Sequence, residues 1–120
     1  MNVDPTADEL RRLASTDRDG PFVMLNLLKF PDADRPAYAE YAQRAAPFLE
    51  RYGAEVLYAG DCDQALVAPA EHDWDSVLLV RYPSRAAFLE MIADPGYREI
   101  TALRSAGLQS AVLQPTIPWR

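Results

Sequence analysis

The chain has 120 residues, 49% of them hydrophobic, and its 12 Lys and Arg against 18 Asp and Glu give a formal charge of −6. That length holds one compact core without disulfide or metal staples, and cations scattered singly in an acidic chain exclude a nucleic-acid backbone as the main partner. One Cys and one His supply neither an internal disulfide nor a zinc site, so no metal and a reducing, cytoplasmic setting are expected.

The opening MNVDPTADELRRL has neither the basic nor the apolar region of a secretory leader, and no run reaches the roughly 18 apolar residues of a membrane span. Thr6 and Glu9 have capping-box spacing, which predicts a short helix bearing Leu10 and Leu13. Residues 17–20 break it. Residues 22–30 then read as a strand apolar on both faces, central and covered twice. Asn26 is the one polar interruption of the run from Pro21 to Leu28. An unpaired buried amide costs about 1 to 3 kcal/mol, so Asn26 is either paired inside the fold or faces a cavity.

Residues 31–36 form a turn, and Tyr38, Tyr41, Ala45, Phe48, Leu49 and Tyr52 recur at helical spacing to a stop at Gly53. Pro47 lies inside this helix and predicts a kink or a local break near residues 43–47. Residues 54–59 alternate as a second strand, Gly60 and Asp61 turn the chain, and residues 65–68 are a candidate short return strand. Residues 74–82 (WDSVLLVRY) are the second strongly apolar strand. Ser84 caps a helix carrying Phe88, Leu89 and Ile92, and Asp94-Pro95-Gly96 ends it. Tyr97, Ile100 and Leu103 mark a further helix before Gly107, and residues 108–114 return as a strand.

A helix followed by β-α-β-β-α-β is the order of a ferredoxin-like α+β sandwich, with residues 1–20 as an N-terminal helical extension and 21–120 as the domain proper. Two crossover helices cover one sheet face. The uncovered apolar face predicts a homodimer, two sheets sharing an interior.

MLNLLKF, YAEY with PFLERYGAEVLYAG, and WDSVLLVRYPSRAAFLEMIADPGY with LRSAGL carry a likeness over about residues 21–115. In order and spacing they resemble the domain-of-unknown-function 1330 family of the dimeric α+β barrel superfamily. The resemblance implies a ferredoxin-like protomer and a barrel built from two. Relatives in that superfamily include cofactor-free monooxygenases, isomerases, polyketide cyclases and haem-degrading enzymes, so the fold alone assigns no reaction.

Candidate site residues follow from strand polarity. Period two sets Arg81 opposite Tyr82, and with Tyr82 packed beneath a helix, Arg81 faces the barrel interior. With Asn26 beside it, the pair holds a carboxylate or enolate oxygen; otherwise Arg81 pairs with an acid across the dimer and Asn26 satisfies a bulge. Asp75 is a candidate general base behind Trp74, against the commoner turn hydrogen bond and core packing. His72 is the only imidazole, a candidate proton shuttle or haem ligand, among polar neighbours that suggest an exposed loop. Tyr97 at a helix start can reach a pocket mouth, and Arg104, seven residues on, can meet an anionic ligand or an acidic side chain. Cys62 reads as inert.

Two classes of function remain open. One is a small-molecule-binding, cofactor-independent enzyme of isomerase, cyclase or monooxygenase type acting on a small apolar or aromatic substrate. There Asn26, Arg81, Trp74 and Arg104 bind, and Asp75, Tyr97 or His72 moves a proton. The other is a non-catalytic homodimeric ligand-binding or scaffold protein. Haem held by His72 ranks last.

Overall fold

The structure is a computed structural model that describes residues 3–15, 20–31 and 35–119. Among these the elements run α1 (Ala7–Ala14), β1 (Phe22–Lys29), α2 (Pro36–Arg51), β2 (Glu55–Asp61), β3 (Ser76–Tyr82), α3 (Arg85–Ala93), α4 (Pro95–Ala106) and β4 (Ser110–Thr116). The strands form an antiparallel sheet in the order β2-β3-β1-β4. With α2 as one crossover and α3 and α4 as the other, this is the ferredoxin-like βαββαβ arrangement preceded by α1.

Local chemistry sets the helix ends. Thr6 and Glu9 form the reciprocal capping box that starts α1. Ser84 Oγ accepts from Ala87 N–H at 3.0 Å to start α3, and Asp94 Oδ1 accepts from Gly96 N–H at 2.8 Å to start α4. Helix α2 ends where Gly53 takes φ +74°, with Gly53 N–H donating to Glu50 O and Ala54 N–H to Leu49 O, the paired bonds of a left-handed helix stop.

Period two then sorts the side chains. In β1, Phe22, Met24, Asn26 and Leu28 are buried while Val23, Leu25, Leu27 and Lys29 are half-buried. Phe22, Met24, Val80 and Tyr82 join Ala45 of α2, Phe88 and Met91 of α3, and Tyr97 and Ile100 of α4 in one core. Burying a side chain such as Phe22, 1% exposed, contributes about 1.5 to 3 kcal/mol. All helices therefore share one sheet face. The other carries Val23, Leu25, Leu27, Val77, Leu79 and Arg81, half-exposed.

Several expectations are corrected. Residues 65–68 form no strand; β3 already pairs with β1 on one side and β2 on the other, leaving no inner edge, and Leu66 and Val67 stay exposed. Gly60 and Asp61 extend β2 instead of turning the chain, because both pair in register with β3. Trp74 and Asp75 precede β3, and β4 starts at Ser110. Helix α2 is continuous through Pro47, without a local break, the packing of its apolar face compensating for the missing donor. The break expected over 17–20 and the turn over 31–36 fall largely outside the described residues.

Candidate functional site

Beneath α2 and α4, on the helix-bearing face of the sheet, lie two adjoining cavities of about 450 and about 220 Å3. They share Asn26, Tyr41, Tyr82, Met91 and Arg104 as lining residues. The larger is of the size that holds a small organic ligand.

Asn26 reaches this space because it occupies an inward position of the central strand. Its Nδ2 donates to Met24 O at 3.1 Å and to Leu78 O at 3.3 Å, which fixes the orientation of the amide. No hydrogen bond to its Oδ1 is found among the described residues, so an acceptor oxygen stands on the cavity wall. Burial and partial pairing are thus both true of this residue, 7% exposed.

Arg104 is the second polar group, 6% exposed on the last turn of α4. Its Nη1 donates to Val3 O and to Asp4 Oδ1, the latter at 2.8 Å, and Ser105 Oγ donates to Asp4 Oδ2 at 2.5 Å. Among the described residues its buried Nη2 has no hydrogen-bond partner. An unmatched buried donor costs about 1 to 3 kcal/mol, which a ligand acceptor would recover.

Four tyrosines surround these two groups. Tyr41 and Tyr97 place their hydroxyls 2.6 Å apart, and burial raises the ionisation of Tyr38, Tyr41, Tyr82 and Tyr97 above the ordinary phenol value. The Arg104 guanidinium partly opposes the shift at each. The hydrogen bond between them couples the two phenols, so that the ionisation of one depends on the hydroxyl of the other. At the far end of the larger cavity, Arg35 Nη1 meets Asp61 Oδ1 at 2.8 Å and Ser76 Oγ at 3.0 Å, and Ser76 Oγ donates to Asp61 at 2.7 Å. The Arg35 and Ser76 hydrogen bonds hold the Asp61 carboxyl below its usual value, which makes it a weak base.

Of the residues expected to form a site, Asn26, Tyr97 and Arg104 converge. Arg81 does not join them. It pairs in register with Val23 and lies on the opposite sheet face from Asn26, because the two sit at odd and even positions of paired strands. Asp75 Oδ2 accepts from Phe30 N–H at 2.8 Å and Oδ1 lies 3.8 Å from Lys29 Nζ, the structural role of an acid just before a strand. Trp74 is half-buried beside it, and neither lines the two cavities. His72 is exposed on the 62–75 connection, its N–H donating to Pro69 O at 3.0 Å. Tyr38, Tyr41 and Tyr82 were legible as core positions but not as cavity wall. Their one signal was a phenol where leucine or phenylalanine would fill the same apolar stripe, since a buried hydroxyl needs a partner.

A βαββαβ sheet with one face under helices, an apolar face left open and a pocket beneath the helices defines a ferredoxin-like α+β protein. Residues 24–114 match the family described as Domain of unknown function (DUF1330), and the chain belongs to that family. A protein of unknown function from Rhodopseudomonas palustris is 35% identical, with a TM-score of 0.89 over 99% of this chain and 98% of that one. SnoaB, a cofactor-independent oxygenase from Streptomyces nogalater, shares the fold at 18% identity and a TM-score of 0.57, over 84% of this chain and 95% of its own. A putative antibiotic biosynthesis monooxygenase from Bacteriodes thetaiotaomicron does so at 21% and 0.60, over 84% and 91%. No curated protein matches the sequence significantly. Among the described residues, no helix is long and apolar enough to cross a membrane.

Proposed function

We propose that the protein binds a small, largely apolar or aromatic molecule in the cavity between Asn26 and Arg104, and that it polarises an oxygen of that molecule without a tightly bound cofactor. The observation that carries this is Arg104: a guanidinium buried to 6% exposure, on the wall of both cavities, with Nη2 unpaired among the described residues. A donor fixed in a dry apolar site stabilises developing charge on oxygen without reorganising. Arg104 Nη2 donates to a carbonyl oxygen, Asn26 Oδ1 accepts from a hydroxyl or enol, and the Tyr97 hydroxyl hydrogen-bonds the polarised oxygen while solvent takes the α-proton, leaving an enolate that solvent reprotonates at carbon. The structural kinship with a cofactor-independent oxygenase supports this class of chemistry without naming the reaction.

A non-catalytic ligand-binding role is the second reading, favoured by one observation. The two carboxylates lining the cavities, Asp4 and Asp61, are each tied to an arginine. One experiment separates the readings. The full chain is titrated calorimetrically with 1-acetonaphthone, and deuterium uptake from solvent into the acetyl methyl group is followed by NMR. Binding with faster exchange, both lost in Arg104→Met, is the enzyme result. Binding without exchange leaves a carrier, and absence of binding overturns both.

The partner we propose is a second copy. The open sheet face bearing Val23, Leu25, Leu27, Val77 and Leu79 is the surface two sheets would bury together. Arg81 lies on that face, where the partner would provide its acidic counterpart. The exposed, unpaired Cys62 fits a reducing cytoplasm. Sedimentation would give twice the chain mass of 13.4 kDa, and Leu79→Glu would return it to the single mass; a wild-type monomer would contradict the dimer.

A further inference from the structure

The span matched by the family begins at residue 24, yet a residue ahead of it reaches the centre of the site. Asp4 Oδ1 lies 2.8 Å from Arg104 Nη1 and its Oδ2 is held by Ser105 Oγ. Resting on the cavity assigned above, we infer that Asp4 sets its charge preference: the carboxylate neutralises Arg104, so that Nη2 selects an uncharged carbonyl oxygen over a carboxylate.

The reasoning starts from the guanidinium itself. Nη1 and Nη2 hang on one carbon, so an acceptor at Nη2 sits roughly 4 to 7 Å from the Asp4 carboxylate bound at Nη1. Arg104 is buried and Asp4 beside it is 39% exposed, so water screens the charges gathered there only in part. A carboxylate arriving there gains one cation and meets one anion. A ketone, ester or quinone oxygen takes the N–H dipole and meets no like charge.

The same guanidinium already accepts this kind of partner, since Nη1 also donates to the neutral backbone carbonyl of Val3. Among the described residues lining the two cavities, the remaining cations do not restore a preference for anions. Arg98 lines the smaller cavity but is exposed to solvent, and Arg35 at the far end faces Asp61.

The pairing also separates charge from mere attachment. Removing the Asp4 charge while keeping its shape should abolish the preference. Removing the Ser105 hydroxyl should loosen the same arm and leave the preference alone.

The test is calorimetric titration of the full chain near neutral pH with two probes of matched size, the neutral ketone 1-acetonaphthone and the anion 1-naphthoate. The wild type is expected to favour the ketone by about tenfold. Asp4→Asn is expected to raise naphthoate affinity by about tenfold while shifting the ketone less than about threefold, and Ser105→Ala is expected to keep the wild-type ratio. A ratio unchanged in Asp4→Asn, or shifted equally in Ser105→Ala, overturns the inference and leaves the cavity assignment standing. Failure of all three proteins to bind either probe overturns that assignment, and the inference with it.

Discussion

The hydroxyl of Tyr41 on α2 lies 2.6 Å from that of Tyr97 on α4, joining the two helices that roof the cavity. The bond links helix packing to site chemistry, because both hydroxyls belong to the cavity wall that also holds Arg104. Tyr41→Phe keeps the ring and deletes the bond. Chemical denaturation should show a loss of about 1 kcal/mol, and Tyr97 should ionise at higher pH than in the wild type. An unchanged Tyr97 titration would show that the two phenols are not coupled.

Asn26 serves the fold through its nitrogen and the cavity through its oxygen. Asn26→Ala removes a donor shared by two strand carbonyls and should cost about 1 to 3 kcal/mol in urea unfolding. Asn26→Asp sets an acceptor against Met24 O and Leu78 O instead. Its stability should improve relative to wild type as pH falls and the carboxyl protonates, and equal pH profiles would refute the donor role.

Gly107 ends α4 where the chain passes the start of α2. A Cβ there would stand 2.5 Å from Tyr38 N and 2.9 Å from Tyr38 Cα, backbone that cannot swing aside. Gly107→Ala should therefore cost about 1 to 3 kcal/mol by overpacking, read as a lower midpoint in denaturant. A neutral result would mean that α4 can shift away from α2 without loss.

The buried phenols make an alkaline prediction. Tyr38, Tyr41, Tyr82 and Tyr97 ionise at higher pH in the fold than in the unfolded chain, chiefly because burial disfavours the anion. Their stabilisation of the fold is therefore complete below the ordinary phenol value near 10 and is lost as pH rises from there through the raised folded values. Thermal midpoints should fall above that point, with tyrosinate absorbance appearing together with unfolding. Tyrosinate formed well before unfolding would contradict the burial.

Much of the fold was legible because its signals are local. The Thr6 and Glu9 capping box, the Ser84 cap and the stop at Gly53 each act within a few residues, and period two in residues 22–30 and 74–82 identified the central strands. The faces were harder. The same period puts Asn26 and Arg81 on opposite sides once their register is known, but register between strands more than fifty residues apart is a tertiary property. Asn26 was legible as a polar group in an otherwise buried strand, whereas Tyr97 read as reaching a pocket mouth and Arg104 as meeting an acid or an anionic ligand, with no sign that it is buried. That Arg104 is held by Asp4 was not legible, because the contact spans a hundred residues and follows no periodicity.

The most direct test is a crystal structure of the protein grown with 1-acetonaphthone. The account predicts density in the cavity with the ketone oxygen within about 3 Å of Arg104 Nη2 and Asp4 still on Nη1. An empty cavity, with Nη2 paired to a protein group, would make Arg104 a structural residue and contradict the ligand site.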